Sequence, residues 1–291
     1  FNNNLLLGAG GQGGGGFNTG LIPNSVWLDG SADFLSAELG AKTRTKAVIG
    51  TWFQKTGFTT SDATIFSKKS GSTGEFAMRM QDQASKAGLI SIFDHDGSNF
   101  QYIAESSGMV LRDIGWYHIM ISIDTTAAGG SRLKYFINGI DQTSTLTIST
   151  DYTASDNPRI TGGSGAPTQW GVGTGGSSQF SPMYLAQSFM LDDDSIQNGD
   201  VAVSDILESF EYGTNGSQFV PKANADIATL ASSAGGDSFC LDFANSSDLG
   251  NDISSNNNDF SLTSMAAANQ SNSSASLVFS QWNILDANAA F

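Results

Sequence analysis

Residues 116–139, WYHIMISIDTTAAGGSRLKYFING, decide the fold. Both arms of this stretch, 116–123 and 132–137, alternate between two sets of side chains with a period of two residues. Such alternation in β-branched and aromatic residues predicts β-strands. The polar segment between the arms contains Gly129-Gly130, and glycine supplies the positive φ angles that a hairpin connection needs. Residues 116–139 therefore predict a β-hairpin.

The composition is that of a β protein with many turns. Of the 291 residues, 39% are hydrophobic and 34 are glycine. This length suits one large β domain or two ordinary domains. Helical spacing occurs at residues 203–212, VSDILESFEY, where Ile206, Leu207 and Phe210 share a face and Ser204 can act as the N-cap. We therefore predict a mostly β chain with one short helix near 203–212.

Short alternating segments, separated by Gly, Asn and Asp, fill most of the sequence. Residues 25–39 read as two strands around an Asp29-Gly30 turn. Residues 161–178 are rich in glycine and read as a loop. The other predicted strands are 46–55, 64–68, 75–81, 89–93, 100–104, 144–149, 182–192, 239–243 and 260–263.

Several of these motifs resemble the laminin-G-like, concanavalin A-like β-sandwich family. They are the strand 46–55, KAVIGTWFQK, with Trp52 near its middle and Lys55 at its end, and the LKYFING strand that ends at Gly139. The resemblance implies an all-β, antiparallel two-sheet jelly-roll sandwich over residues 20–200. It also implies that residues 182–192 form a final strand at an outer edge of the sandwich.

A second resemblance reaches both ends of the chain. Residues 212–223, YGTNGSQFVPKA, and 239–260, FCLDFANSSDLGNDISSNNNDF, look like structural proteins of marine tailed bacteriophages. This resemblance implies a virion protein that is made in the host cytoplasm. Residues 201–223 are predicted as a helix and linker. Residues 224–265 are predicted as a strand pair that packs back on the sandwich, because so short a segment cannot bury a stable core alone.

Both ends of the chain carry large apolar residues in segments too rich in Gly, Asn and Ser to form a core. We expect residues 1–19 and 266–291 to be arms that bind other virion proteins; the alternative for the first arm is a disordered leader. The expected assembly residues are Phe1, Leu5, Leu6, Leu7, Phe279, Trp282, Ile284 and Phe291. A homo-oligomer is expected, and a trimer is favoured by analogy with phage fibres and spikes.

Charge and cysteine content exclude several classes of protein. The net charge of −15 and the isoelectric point near 4.2 argue against a nucleic-acid partner, which needs a basic surface. The sequence has no apolar run long enough to predict membrane insertion. Cys240 is the only cysteine, so it has no partner for an intrachain disulfide, and its alternating context predicts a buried, inert thiol.

The sequence predicts a non-enzymatic protein with no cofactor. Sandwich glucanases need paired carboxylates on one face of a strand, whereas Glu105, Glu208 and Glu211 are isolated. The segment 94–97, Asp-His-Asp-Gly, could serve a metal or a general base, but it favours a turn between strands. His118 has no Cys or Ser neighbour and is predicted as a packed strand residue.

Two kinds of binding site stay open. Calcium is the one ion that the oxygen-rich clusters suit: Asp192, Asp193 and Asp194 form one cluster, and Asp248, Asp252 and Asp259 form the other. Trp170, in the glycine-rich loop, is the expected residue for stacking on a host-surface glycan. The predicted role is a tail-fibre, spike or adhesion module; the alternatives are a capsid decoration or fibre-base protein and, more distantly, a secreted cellular lectin.

Overall fold

The chain forms an antiparallel two-sheet jelly-roll sandwich, which confirms the predicted fold class. The computed structural model describes residues 22–40, 44–56, 62–70, 74–81, 86, 88–108, 111, 115–160, 167–173, 176, 178–192, 203–211, 217–273 and 275. Within these residues there are two sheets of eight strands each, a separate two-stranded hairpin and two α-helices.

Sheet A has the order β10–β9–β8–β3–β13–β1–β18, with β16 paired to β13. Its strands are β1 (Ser25–Asp29), β3 (Lys46–Lys55), β8 (Trp116–Asp124), β9 (Leu133–Ile137), β10 (Ile140–Asp141), β13 (Pro182–Leu191), β16 (Phe239–Leu241) and β18 (Gln270–Ser271). The strand β13 lies between β3 and β1, so the expectation that residues 182–192 form an outer edge is wrong.

Sheet B has the order β11–β7–β6–β5–β4–β12–β2–β17. Its strands are β2 (Phe34–Glu38), β4 (Ala63–Ser70), β5 (Gly74–Gln81), β6 (Leu89–His95), β7 (Phe100–Ser106), β11 (Leu146–Thr150), β12 (Pro167–Trp170) and β17 (Ser261–Thr263). The main hydrophobic core lies between the two sheets.

The predicted hairpin at residues 116–139 is confirmed as β8 and β9. These strands pair in register, with Ile119 opposite Ile137 and Ile123 opposite Leu133. The isoleucines of β8 face the core between the sheets. The alternate positions, such as Met120, lie in a second cluster of buried residues on the other face of sheet A, which we call the outer cluster. The strand β8 is therefore buried on both faces.

The helix predicted at residues 203–212 is wrong beyond its first turn. A helix α1 spans only Val203–Ile206, and the chain then continues as β14 (Leu207–Glu211), which pairs with β15 (Ser217–Pro221). The segment LESFE also has a period of two, and pairing with a second strand decides between the two patterns. Residues 201–223 thus contain a hairpin rather than a linker.

The longer helix, α2 (Asn224–Ala234), was not predicted. It buries Ile227, Ala228, Ala231 and Ala234 in the outer cluster, at helical spacing. The buried face consists mainly of alanine and the opposite face mainly of serine and threonine. The two faces therefore differ little in hydrophobicity, and the sequence pattern does not indicate a helix. The packing on sheet A therefore stabilises the helix more than its own amphipathicity does.

A bulge in β13 helps to place α2 on sheet A. The register of β13 against β3 shifts between Ala186 and Phe189, and Gln187 has a φ of 45°. The amide of Gln187 donates hydrogen bonds to the carbonyl oxygen of Lys222, at 2.8 Å, and to Asn224 Oδ1, at 3.0 Å. The bulge therefore turns a buried polar side chain towards the beginning of the helix.

Residues 224–273 belong to the sandwich, although they do not form the predicted strand pair. β16 joins sheet A through β13, and β17 joins sheet B through β2. β18 then pairs with β1, so the residues up to 271 are not part of an arm beginning at 266. The sandwich takes strands from both sides of residue 200, because hydrogen bonding at sheet edges is available to any later segment.

Asn256 ties the end of α2 to β16, and we expect its loss to destabilise the fold. Its Nδ2 lies 2.9–3.0 Å from the carbonyl oxygens of Ala231, Gly235 and Ser238. Asn256→Ala should lower the free energy of unfolding by about 1–3 kcal/mol, because it removes the part-buried amide that bonds to all three carbonyl oxygens. Urea denaturation measures this change. The exposed Asn157 is the matched control, and an equal loss in Asn157→Ala would contradict the assignment.

Candidate functional site

Trp170 is buried between the sheets, so the prediction that it stacks on a glycan from an exposed loop is wrong. Residues 167–170 form β12, which lies between β4 and β2 and turns Trp170 inward. The indole ring packs edge-on against Phe66, at 5.0 Å, and Phe239, at 6.5 Å, between ring centroids. Trp170 is a core residue.

The first predicted calcium cluster contains a buried lysine. Asp192 is 1% exposed at the end of β13, and its backbone N–H donates to Ser238 Oγ at 2.8 Å. Burial lowers the pKa of Lys68, while the negative charges of Asp192 and Asp237 act in the opposite direction. Lys68 is therefore close enough to interact electrostatically with a carboxylate to which the prediction assigned an ion. Asp193 and Asp194 lie outside the described residues.

The second cluster is organised by Asp252. Its two carboxylate oxygens accept hydrogen bonds from the backbone N–H groups of Cys240, Ser254 and Asn258, all at 2.9 Å, and from Ser254 Oγ at 2.7 Å. Asp259 accepts from the backbone N–H of Asp252 at 2.8 Å, and Asp248 is exposed. In the described part of the chain, no three His, Cys, Asp or Glu side chains form a group that could hold a metal ion.

Asp94 lies within β6 and not in the predicted turn at 94–97, which begins at Asp96. The Asp94 side chain is fully buried and pairs with Arg159 Nη1 at 2.7 Å. It also accepts from the backbone N–H of Arg159, at 2.9 Å, and from the Tyr152 hydroxyl, at 3.0 Å. Burial raises the pKa of Asp94 despite these bonds. The carboxylate connects β6 to a loop and is closed to solvent.

Glu105 and Glu75, two glutamates of sheet B, are held by neighbouring polar and charged side chains. Glu105 accepts hydrogen bonds from Gln81, at 2.8 Å, and Lys86, at 2.9 Å, and both lower the pKa of its carboxyl. Glu75 pairs with Arg79 at 2.7 Å. A glycosidase acid needs a raised pKa. Glu208 and Glu211 lie in β14, and their side chains lie outside the described part of the structure.

His118 and Cys240 are buried, as the sequence predicts. His118 is 1% exposed, and its ring lies 5.1 Å from that of Trp52. Neither ring nitrogen has a hydrogen-bond partner among the described residues, and burial lowers the pKa of His118 to about 3. Burial raises the pKa of the Cys240 thiol. Neither side chain has the access to solvent that a catalyst needs.

Trp27, rather than Trp170, presents an exposed indole ring. In the described residues three large hydrophobic side chains are exposed: Trp27 at 40%, Phe100 at 43% and Ile140 at 57%. Trp27 points away from the core because its neighbours Val26 and Leu28 point into it. This period-2 pattern in SVWLD could have identified Trp27 from the sequence.

Trp27 begins a row of side chains that crosses four strands of sheet A, and we call it the aromatic row. Trp27 is opposite Tyr184, Tyr184 is opposite Gln54, and Gln54 is opposite Trp116. With strands about 4.8 Å apart, the row is about 14 Å long. The rings of Trp116 and Tyr184 have centroids 6.4 Å apart.

Exposure decreases along the aromatic row towards the outer cluster. Trp27 is the most open, Tyr184 and Gln54 are partly buried, and Trp116 is 5% exposed. Within the described chain, the Gln54 amide and the Tyr184 hydroxyl make no hydrogen bond. The row therefore combines an exposed aromatic surface with the partly buried polar groups of Gln54 and Tyr184.

A capped turn holds Trp27 at the end of the row. Asp29 Oδ1 accepts from the backbone N–H of Ser31 at 2.7 Å and of Ala32 at 3.1 Å. Partial burial raises the pKa of Asp29, but these hydrogen bonds outweigh burial and lower it to about 2. Asn269 Nδ2 donates to the carbonyl oxygen of Trp27 at 2.9 Å. The backbone around the indole is therefore tied on both sides.

The predicted assembly residues, from Phe1 to Leu7 and from Phe279 to Phe291, lie outside the described residues. The neighbouring residues Ile22 and Ala275 are both buried in the outer cluster. Ser25 Oγ donates to the carbonyl oxygen of Ser273 at 2.5 Å. The two ends of the described sandwich are therefore adjacent on sheet A.

The helices of the described chain include none that is long and apolar enough to cross a membrane. No protein-family model and no curated protein matches the sequence.

Solved structures of β-sandwich proteins are similar to the chain at low sequence identity. A SAP-like pentraxin from Limulus polyphemus is 12% identical over 64% of this chain and 82% of its own, with a TM-score of 0.44. Domains LG4-5 of the mouse laminin α1 chain are 12% identical over 60% of this chain and 44% of their own, with a TM-score of 0.41.

A provisionally assigned carbohydrate-binding protein from Bacteroides ovatus is 11% identical, with a TM-score of 0.49. The match covers 84% of this chain and 58% of that protein. The chain thus spans about half the length of the laminin and Bacteroides proteins. At these identities the likeness concerns the fold of the sandwich.

The buried His118 predicts a loss of stability on acidification. Its pKa is about 3 in the folded chain against an ordinary 6.5, so below pH 6.5 the unfolded chain binds a proton that the folded chain does not. The free energy of unfolding should fall by about 2 kcal/mol between pH 6.5 and 4.5 from this group.

Urea denaturation across this pH range measures the effect. His118→Phe should flatten the profile, whereas His95→Gln, at the only other histidine, should leave it unchanged. An unchanged slope in His118→Phe would show that His118 does not carry the dependence.

Proposed function

We propose that this chain is a non-enzymatic structural protein of a bacteriophage virion whose sandwich binds a glycan at the aromatic row. The observation that supports glycan binding is the exposed Trp27, directly opposite Tyr184 and followed by Gln54. Aromatic faces pack against the apolar faces of sugar rings, and side-chain amides and hydroxyls bond to sugar hydroxyls. A row about 14 Å long suits a chain of sugar rings better than a compact ligand.

A binding role is favoured over hydrolysis by the state of the carboxylates. Asp94 is sealed in the interior, and hydrogen bonds lower the pKa of Glu105. A retaining or inverting glycosidase needs one carboxyl with a raised pKa and access to the substrate. Near Trp27, burial raises the pKa of Asp33, but Asp33 is only 5% exposed and so lacks access to a substrate.

The virion assignment rests on the sequence resemblance to phage structural proteins, and the position of the two ends supports it. Ile22 and Ala275 bring both ends of the sandwich to one region of sheet A. The apolar residues at 1–7 and 279–291 belong to the segments beyond these two ends, and in this proposal they bind neighbouring virion proteins or other copies of the chain. A tail fibre or spike uses the row for adhesion; a capsid decoration or fibre-base protein would use only the ends.

Trp27→Ala should weaken glycan binding at least tenfold, which corresponds to about 1.4 kcal/mol, because it removes the exposed stacking surface. A glycan microarray followed by titration of the bound oligosaccharide measures this change. Phe100→Ala is the matched control, since Phe100 is equally exposed but lies on sheet B. Equal binding by wild type and Trp27→Ala would refute the proposed site.

Removal of residues 1–16 and 277–291 should abolish assembly, because these segments contain the apolar residues that we expect to dock on neighbours. Each such side chain contributes about 1.5–3 kcal/mol when it is fully buried. Light scattering measures the mass in solution, for which a trimer is expected, and incorporation into particles measures assembly. A truncated chain that keeps both its mass and its place in virions would contradict the role of the ends.

A further inference from the structure

The charge beside the aromatic row restricts the kind of glycan that it can accept. Asp29 lies two residues beyond Trp27 in β1, on the same face of the strand. At about 3.3 Å per residue, the two Cα atoms are about 7 Å apart. Asp29 is exposed, so any sugar that stacks on Trp27 comes within the range of its charge.

Asp29 is negatively charged under all ordinary conditions. Both carboxylate oxygens accept hydrogen bonds, Oδ1 from backbone N–H groups and Oδ2 from Ser31 Oγ at 2.5 Å. The resulting pKa of about 2 is far below the pH of sea water or of laboratory buffers. The carboxylate is also fixed in place, because the same hydrogen bonds hold the turn.

Among the described residues, the lysines closest to the row do not offset this charge. Lys55 follows Gln54, but its side chain is 2% exposed. Gln187 lies three residues beyond Tyr184, about 10 Å along β13. Its side-chain amide donates to the backbone carbonyl oxygen of Lys222. Lys134 is opposite Ser122, six residues and about 20 Å from Trp116. At physiological salt, exposed charges are largely screened beyond about 8 Å.

We propose that the aromatic row binds a neutral glycan and rejects glycans that carry carboxylate or sulfate groups. This inference rests on the proposed glycan-binding function and specifies its ligand. The row supplies an indole, a phenol and an amide, and none of these side chains offers a positive charge to a carboxylate or a sulfate. Asp29 then repels such a group at short range, and the net charge of −15 adds a repulsion at longer range.

Pairs of glycans that share a sugar backbone and differ in charge test the proposal. Suitable probes are cellohexaose and its C6-oxidised uronate, methyl-esterified and free oligogalacturonate, and dextran and dextran sulfate. Binding of the full chain is measured by titration and by affinity electrophoresis at low and at physiological salt. We expect the neutral member of a bound pair to bind at least tenfold more tightly, with a smaller gap at high salt.

Asp29→Asn isolates the local contribution. Asparagine keeps the Oδ1 acceptor for the turn, and thermal unfolding checks that the fold is retained. The substitution should improve binding of the anionic members by about three- to tenfold and leave the neutral members unchanged. Asp141→Asn is the matched control, because Asp141 also accepts from a turn N–H, that of Thr143, but lies five strands from β1, at about 24 Å.

The outcomes separate this inference from the function on which it rests. Anionic glycans that bind as tightly as neutral ones, with binding lost in Trp27→Ala, would overturn the neutral class and leave the glycan site in place. An unchanged preference in Asp29→Asn would overturn the role of Asp29. Failure to bind any probe, or binding that is insensitive to Trp27→Ala, would overturn both proposals.

Discussion

The burial of sheet A on both faces is the constraint on which the rest of the structure depends. The strands β3, β8 and β13 are buried almost without interruption, because sheet B covers one face and α2 with its neighbours covers the other. A sheet that is covered on both sides needs its polar groups paired internally, and Thr51 Oγ1 meets Ser188 Oγ at 2.7 Å. Within the aromatic row, Trp27 is the side chain that this cover leaves most exposed.

Strands with a strong period-2 pattern could be predicted from the sequence. Segments whose secondary structure depends on pairing with a strand remote in sequence could not. Residues 116–139 form the expected hairpin because the alternation and the turn residues agree. Residues 207–211 carry both periods, and their pairing with 217–221 decides the outcome. Trp170 lies in a glycine-rich segment whose sequence predicts a loop. In the structure this segment pairs with β4 on one side and β2 on the other, and so belongs to sheet B. The exposure of Trp27 could have been predicted in the same way, because apolar residues that face the core stand on both sides of it in β1.

Several aspartates that the sequence suggests as surface metal or catalytic sites are buried in the structure, where they interact with cationic side chains. Asp94 pairs with Arg159 from a loop 65 residues further along the chain, and Asp192 and Asp237 lie near the buried Lys68. A buried ion pair contributes little net stability, but the loss of one partner is costly. Such pairs therefore act mainly on specificity: they determine which segments pack together and add little to the stability of the packing. A linear sequence does not reveal these partners, because each carboxylate meets a cation from a remote element.

The hydrogen bond from Ser25 to Ser273 joins the two ends of the described sandwich, which therefore lie next to each other. Adjacent ends are the usual condition under which circular permutation preserves a fold. A gene in which a short linker joins residues 22 and 275, and which opens instead at the exposed turn 97–99, would encode the same two sheets in a new strand order. It would also move the points of attachment from sheet A to the β6–β7 turn of sheet B, and so change the orientation of the aromatic row relative to any partner fused to the domain.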